Sequence, residues 1–304
     1  MSRISHVDIH LINISANPHP AGVYTELWER AFQARKPIAI HGERYALITS
    51  LNNVERNSVV VGLGGVLATF TDIDVDAPWL NRQTGKAVEE DDAGEIHIPE
   101  EFRPHFAEFI FYFDINNHLL AYQGKAKMRR YTGGYKNYSL SPLLFKKYMD
   151  DIFQNPMIRG DINSIVVTAV PEPSAVEDIL SNPNIREINI IFEVPNSDNL
   201  ATERGRVRDR LSRINAERKE EKYVAMGDDG VSPDEEMKRA ARVAAMDGQV
   251  NARVTTAQGV MPVSTADKPY VRRIEINPNV EDESITIRRE VKDLAKNFGM
   301  SDDG

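Results

Sequence analysis

Cations and tyrosines alternate in one short stretch of the sequence, residues 125–138. Five cations and three tyrosines fall there, together with the pair Gly133-Gly134. Cations neutralise phosphates and release counterions, tyrosine rings stack on unpaired bases, and glycine-rich loops let backbone N–H groups approach phosphate oxygens. We therefore predict that this stretch binds nucleic acid, DNA or RNA, through Lys125, Lys127, Arg129, Arg130, Tyr131, Tyr135 and Lys136.

The charge distribution favours this prediction. Seven basic residues and no acid lie between Ile115 and Met149, although the whole chain has a net charge of −9. Ten acids lie between Asp72 and Glu101. Such a surface attracts a polyanion at one place and repels it at another, but the same polarity suits an acidic protein partner or an internal pairing of the two patches. The basic stretch is also typical of a solvated hairpin extension whose tyrosines pack on a neighbouring sheet.

A second candidate surface is a predicted helix rich in arginine. Arg206, Arg210 and Arg213 share one of its faces, about 100° from an apolar stripe, and are predicted to contact successive phosphates as an auxiliary surface. The apolar stripe consists of Leu200, Val207, Leu211 and Ile214. The alternative is a surface helix with ion pairs between residues four apart, such as Arg213 with Glu217.

Three aspartates follow a predicted strand with a spacing of two residues. If the strand continues past Phe70, then Asp72, Asp74 and Asp76 share one face within about 14 Å, at roughly 3.4 Å per residue. Such carboxylates are predicted to hold one or two Mg²⁺ ions for phosphodiester chemistry. The alternative is an exposed face that repels anions or pairs with the basic stretch.

Several classes of site are excluded by the sequence. The chain has no cysteine, which excludes disulfides, thiolate nucleophiles, Fe–S clusters and cysteine-ligated zinc, and fits a reducing cytoplasm. It has no HExxH, no G-x-S-x-G and no P-loop motif. Its N-terminus lacks the apolar core of a signal peptide, and its longest apolar run is too short for a bilayer. We therefore expect a cytoplasmic protein with no membrane contact and no required cofactor.

The hydrophobic periodicity predicts an α+β fold in three parts. Residues 1–140 are predicted to form a β-rich N-terminal domain with one helix, and residues 141–198 a split βαβ-like middle unit with the order α-β-α-β. Residues 199–304 are predicted to form a charged helical C-terminal region with a late strand. In that region we expect one long helix over Asn199–Met226 and a second over Pro233–Met246, whose small residues allow close helix packing.

Four short motifs of the sequence resemble the bacterial and phage domain-of-unknown-function family 4747, over most of the chain to about residue 250. They are Thr71-Asp-Ile-Asp-Val-Asp-Ala-Pro-Trp79, Asn17-Pro-His-Pro-x-Gly22, Ile98-Pro-Glu and Val194-Pro-Asn196. The resemblance implies a role in phage–host conflict and supports the three aspartates with Trp79 as a functional locus. It carries no established activity.

The leading functional hypothesis is therefore a non-catalytic nucleic-acid-binding protein, in antiphage defence or its counter-measure. The first alternative is a Mg²⁺-dependent nuclease or phosphodiesterase that uses Asp72, Asp74 and Asp76 as metal ligands. The second is an interaction protein whose helical region pairs with another copy or with a defence-system protein, without nucleic acid. In that case Leu211 is the expected contact residue.

Overall fold

The computed structural model describes residues 5–18, 20–75, 77–88, 99, 101–193, 203–227, 229–277 and 280–298. The predicted α+β class is confirmed, with 28% of the described residues helical and 43% in strands. Seven helices are seen in the described residues: α1 Val23–Gln33, α2 Pro142–Phe153, α3 Pro156–Arg159, α4 Pro173–Leu180, α5 Glu203–Arg213, α6 Glu235–Asp247 and α7 Glu283–Asn297.

The strands of the described residues form two large sheets and two small hairpins. They are β1 Ser5–Asn17, β2 Ile38–His41, β3 Arg44–Arg56, β4 Val59–Thr71, β5 Leu80–Asn81, β6 Lys86–Ala87, β7 Ala107–Asp114, β8 Leu119–Gln123, β9 Lys125–Arg129, β10 Tyr135–Ser139, β11 Ser164–Ala169, β12 Ile185–Glu193, β13 Arg218–Val224, β14 Gln249–Thr256, β15 Gly259–Ser264 and β16 Val271–Ile276. The first large sheet is a curled half-barrel with the order β11-β1-β8-β7-β4-β3-β2, and β16 also pairs with β1.

Strand β1 pairs with three other strands of this antiparallel half-barrel. One of its edges pairs with β8 through Ile9–Asn13. Its other edge is divided, because Ser5–His10 pair with β16 and Ile12–Asn17 pair with β11. Strands from all three predicted parts of the chain therefore share one sheet.

Both faces of β1 are buried, which explains its nearly continuous run of apolar residues. The face that carries Ile12 and Ile14 packs in the core beneath α1 and α2, with Trp28 at its centre. The opposite face carries Ile9 and Leu11 and packs against α7. The alternation in the sequence correctly predicts the strand but reveals only one of these two buried faces.

The second large sheet has the antiparallel order β13-β12-β14-β15, and helices α4 and α6 cover one of its faces. Ile188 and Ile190 of β12 pack there against Ala241 and Ala244 of α6, whose small side chains permit the predicted close approach. The predicted order α-β-α-β of the middle segment is present. Its strands β11 and β12 lie in different sheets, however, because β11 completes the edge of β1 while β12 pairs with β13 and β14.

The predicted long helix over Asn199–Met226 is wrong in its second half. Helix α5 ends at Arg213, and Asn215 takes a left-handed conformation with φ of 52°, which is a common way to end a helix. The chain then forms β13, which pairs with β12, and the Nζ of Lys219 lies 5.0 Å from the ring centroid of Phe192. The exposed edge of β12 needs backbone partners, and this need outweighs the helix propensity of the charged segment.

The burial of β1 predicts a large stability effect at its centre. We expect Ile9→Ala, at a side chain with no exposed surface, to lower the free energy of unfolding by about 2–5 kcal/mol, through lost burial and the cavity left behind. Val59→Ala, at a strand residue that is 62% exposed, serves as the control and is expected to change it by less than about 0.5 kcal/mol. Urea unfolding measures both, and equal losses would contradict the central role of β1.

Candidate nucleic-acid interface

The predicted binding stretch forms a two-stranded hairpin that extends from the half-barrel. Strands β9 and β10 pair in the register Arg129 with Tyr135 and Lys127 with Asn137. Gly133 and Gly134 close the loop with φ of 89° and 75°, a conformation that favours glycine. The N–H of Arg130 donates to the Gly134 carbonyl at 3.1 Å, which holds the turn.

One face of the hairpin presents cations and an aromatic ring to solvent. Lys127, Arg129 and Tyr135 are exposed on this face, and Tyr131 is fully exposed in the loop. The Nζ of Lys127 lies 4.5 Å from the centroid of the Tyr135 ring. This is the distance of a cation–π contact, so the ring and the ammonium group form one unit.

The other face is turned towards the protein. Ala126 is buried, and Tyr138 packs against the main core with Lys136 Nζ 5.0 Å from its ring centroid. The sequence left two roles open for the tyrosines, stacking on a ligand or packing on the neighbouring sheet. The structure assigns different tyrosines to these two environments. Tyr138 is half-buried and packs partly on the sheet, as expected of a structural hairpin, whereas Tyr131 and Tyr135 are exposed.

The cations of the hairpin differ in whether an acid neutralises them. The Nζ of Lys125 forms an ion pair with Asp8 at 2.6 Å. The other four have no carboxylate within 4.0 Å among the described residues; they are Lys127, Arg129, Arg130 and Lys136. Lys125 therefore holds the hairpin to β1 through its ion pair with Asp8, and the remaining four cations give the hairpin its positive charge.

Asp8 anchors the base of the hairpin and was missed by the sequence analysis. Its carboxylate is buried on β1 and accepts from Lys125 of β9 and from the Nε of Arg273 of β16 at 2.7 Å. The hydrogen bond with Arg273 is the largest influence on Asp8 and, with Lys125, lowers the pKa of its carboxyl from 3.8 to about 2, against an opposing effect of burial. The position of Asp8 within an apolar strand could have indicated an ion pair, because buried charges are almost always paired.

His10 lies beside this anchor. Burial lowers the pKa of the His10 imidazole, whose Nδ1 is 3.0 Å from the Tyr270 carbonyl. The ring lies so close to the chain that a Cβ at Gly124 would come within 2.4 Å of it. Gly124 therefore allows the chain to pass His10 as it enters the hairpin, and its N–H donates to the Asp8 carbonyl at 2.7 Å.

The structure places the predicted arginine surface elsewhere, beside β13 of the second sheet. Arg206 and Arg210 of α5 border a cleft of about 340 Å³ that Ile214 also lines. Arg213 forms an ion pair with Asp209, not with Glu217, because the helix ends before Glu217 is reached. The hairpin and α5 are thus two separate basic surfaces.

The contact predicted for a helix-mediated oligomer is also corrected. Leu211 is only 2% exposed within this single chain. It lies beside Asn17 and Ser164 at the ends of β1 and β11 as well as in the cleft of α5. The Leu211 side chain therefore packs within its own chain, and the oligomer hypothesis itself stays a prediction.

The predicted continuation of the strand through the three aspartates is wrong. β4 ends at Thr71, after which the N–H of Asp72 donates to the Glu43 carbonyl at 2.8 Å. The carboxylate of Asp72 is bound by Arg103, and Asp74 lies in an exposed turn. Asp76 lies outside the described residues.

Neither a metal cluster nor a membrane-spanning helix is found in the described part of the chain. No group of three or more histidine or acidic side chains there is close enough to hold a metal ion. The Nε1 of Trp79, assigned to the same locus as the aspartates, donates to the Val75 carbonyl at 3.0 Å, which stabilises the turn. No described helix has the length and hydrophobicity needed to span a bilayer.

The fold and the site define an α+β protein in which a basic, aromatic hairpin extends from a half-barrel. The chain belongs to the family described as domain of unknown function DUF4747, whose model matches residues 5–295. The resemblance predicted from four motifs is therefore confirmed, and the match reaches past residue 250 to α7. No curated protein matches the chain.

The anchor at Asp8 predicts a specific dependence of stability on pH. A carboxyl whose pKa is about 2 in the folded protein and 3.8 in the unfolded chain stabilises the fold by about 2 kcal/mol above pH 4, and this contribution is lost as the pH falls towards 2. Asp8→Asn removes the charge. We expect the variant to be less stable at pH 6, and the difference from the wild type to shrink as the pH falls to about 2.

Urea unfolding from pH 2 to pH 6 measures this difference. The wild type and the variant are compared at each pH, so the titration of all other groups cancels to first order. A difference that stays constant over the whole range would contradict the role assigned to the Asp8 charge.

Proposed function

We propose that this protein binds nucleic acid through the β9–β10 hairpin without cleaving it. The observation that carries the proposal is the combination of four cations that no described acid neutralises with two exposed tyrosines on one short hairpin. This is the combination that sequence-tolerant nucleic-acid binding requires, since phosphates need positive charge and bases need a flat apolar face.

The overall charge of the protein restricts where a polyanion approaches. With a net charge of −9, most of the surface repels phosphates. The hairpin offers a local positive field on a scale comparable with the Debye length of about 8 Å at physiological salt. Binding is therefore centred on the hairpin and decreases steeply as salt increases.

The two exposed tyrosines supply the second part of the interaction. Tyr131 stands in the loop and Tyr135 lies on the cationic face, so bases that stack on them leave their phosphates near Arg129 and Arg130. Stacking does not discriminate strongly between bases. The binding is accordingly weakly sequence-specific.

The cations of α5 remain an auxiliary surface in this proposal. Arg206 and Arg210, which border the cleft of α5, would contact a second stretch of a longer strand, and Arg213 forms an ion pair with Asp209. A role in phage–host conflict, implied by the family resemblance, would use the same binding step on phage or host nucleic acid. The nuclease alternative loses the strand face on which its three aspartates depended.

Neutralising the hairpin is expected to weaken binding and its salt dependence together. The variant Arg129→Gln/Arg130→Gln removes two phosphate contacts. For a single strand it should lower the slope of log affinity against log salt by about 1.4, at roughly 0.7 per contact. Fluorescence anisotropy with labelled single-stranded DNA, duplex DNA and RNA, at several salt concentrations, measures both quantities.

The matched control for this variant is Lys36→Gln/Arg56→Gln, which removes the same charge at two exposed positions outside the hairpin. We expect it to leave affinity and slope within error of the wild type. Equal losses in both variants would mean that net charge, and not the hairpin, governs binding. Labelled strands incubated with Mg²⁺ should stay intact on a denaturing gel, and shortening would favour the nuclease alternative.

The aromatic contribution is tested at the tip of the hairpin. Tyr131→Ala is expected to lower the affinity for single strands by about 1 kcal/mol or more, because a stacking face is lost. Tyr131→Phe keeps the ring and should retain the affinity. Thermal stability should not change in either variant, since this side chain is fully exposed. Equal affinity of the alanine variant and the wild type would show that the ring makes no contact.

A further inference from the structure

A cleft of about 540 Å³ lies where the hairpin separates from the first strand of the protein. Strand β8 pairs with β1, and the N–H of Gly124, the next residue, donates to the Asp8 carbonyl. From Gly124 onwards, β9 diverges from β1. One wall of the cleft is formed by Ser5 and His6 of β1, and the other by the base of the hairpin. The volume falls within the range of about 300–1,000 Å³ that is typical of small-ligand sites.

The chemistry of the cleft is continuous with that of the hairpin. Lys127 lines the cleft and also belongs to the cationic face of the hairpin, so a strand bound along that face reaches the cleft. The ring of Tyr138, which packs at the base of the hairpin, forms part of the cleft wall and offers an apolar surface. The cleft therefore combines a cation and an aromatic ring in a concave site.

The two walls differ in charge. Lys125 and Lys127 stand on the hairpin side. The β1 side carries the carboxylate of Glu283, which accepts a hydrogen bond from Ser5 Oγ at 3.1 Å. Lys125 is already paired with Asp8, so a phosphate is attracted to Lys127 and repelled by Glu283. A nucleotide that enters the cleft therefore places its phosphate beside Lys127 and leaves its base to the lining side chains of His6 and Tyr138.

We infer that this cleft receives one unpaired nucleotide of the strand that the hairpin binds, which makes single-stranded nucleic acid the preferred ligand. The inference rests on the proposed function. A base within a duplex reaches such a cleft only after it is unpaired and unstacked, whereas a single strand presents its bases without that cost. The hairpin holds the phosphates, and the cleft selects for an unpaired base.

Photo-crosslinking locates the bases of a bound strand. Single-stranded oligonucleotides carrying one 5-iodouridine at successive positions are irradiated with the full-length protein, and the modified residues are identified by mass spectrometry. We expect crosslinks at the tip, on Tyr131 or Tyr135, and also in the cleft, on His6 or Tyr138. Crosslinks confined to the tip would overturn the inference and leave the proposed function intact. If no nucleic acid binds in the anisotropy experiment, both fail.

A variant that fills the cleft gives an independent measurement. Ser139 is an exposed residue of β10 that lines the cleft, so Ser139→Trp places a large ring inside it. We expect the affinity for single strands to fall about ten-fold, with the affinity for duplex DNA unchanged and the cleft crosslinks lost. Asn53→Trp, which adds the same ring at an exposed position of β3, is the matched control. Unchanged single-strand affinity in folded Ser139→Trp would overturn the inference.

Discussion

The structure depends on one strand, β1, that is buried on both faces over most of its length. β1 is covered on both faces and paired along both edges, so its backbone and its side chains are almost entirely removed from water. Such a strand stabilises the fold only if every neighbour is in place, because each missing partner would leave buried polar backbone groups unsatisfied. Segments as far apart as β8, β11, β16 and α7 are therefore held together by the first described residues of the chain.

The burial of β1 also determines how the charged residues near it are used. Asp8 lies within this strand, where an unpaired carboxylate would be strongly unfavourable. Lys125 and Arg273 neutralise it from the two sides, and each brings its own strand with it. Asp8 thus neutralises Lys125 at the base of the hairpin, and no described carboxylate neutralises the cations further along it. The boundary between the neutralised base of the hairpin and its cationic outer part falls between Lys125 and Lys127.

Elements whose signals are local in the sequence are predictable from it, whereas elements that depend on distant partners are not. Helix α2 begins where its own sequence indicates, because the N-cap Ser141, the following Pro142 and the apolar spacing are local signals. β13 was missed, since a charged segment becomes a strand only when β12 offers an edge to pair with, and the sequence of the segment does not contain that information. The aspartate face failed for a related reason, because the end of β4 is set by Arg103 and Glu43, which are distant in sequence.

The basic hairpin was predictable because its signal is local, but the cleft beside it was not. Cations and tyrosines at short spacing are visible in the sequence whatever the fold, whereas the cleft exists only because β9 diverges from β1 at Gly124. The same divergence leaves the two ends of the hairpin under different constraints. The base is held by a buried ion pair and by the close packing of His10 on Gly124, whereas a Cβ at Gly133 or Gly134 would meet no neighbouring atom. The packing at the base therefore fixes the shape of the cleft, whereas the loop at the tip is not packed against the rest of the protein.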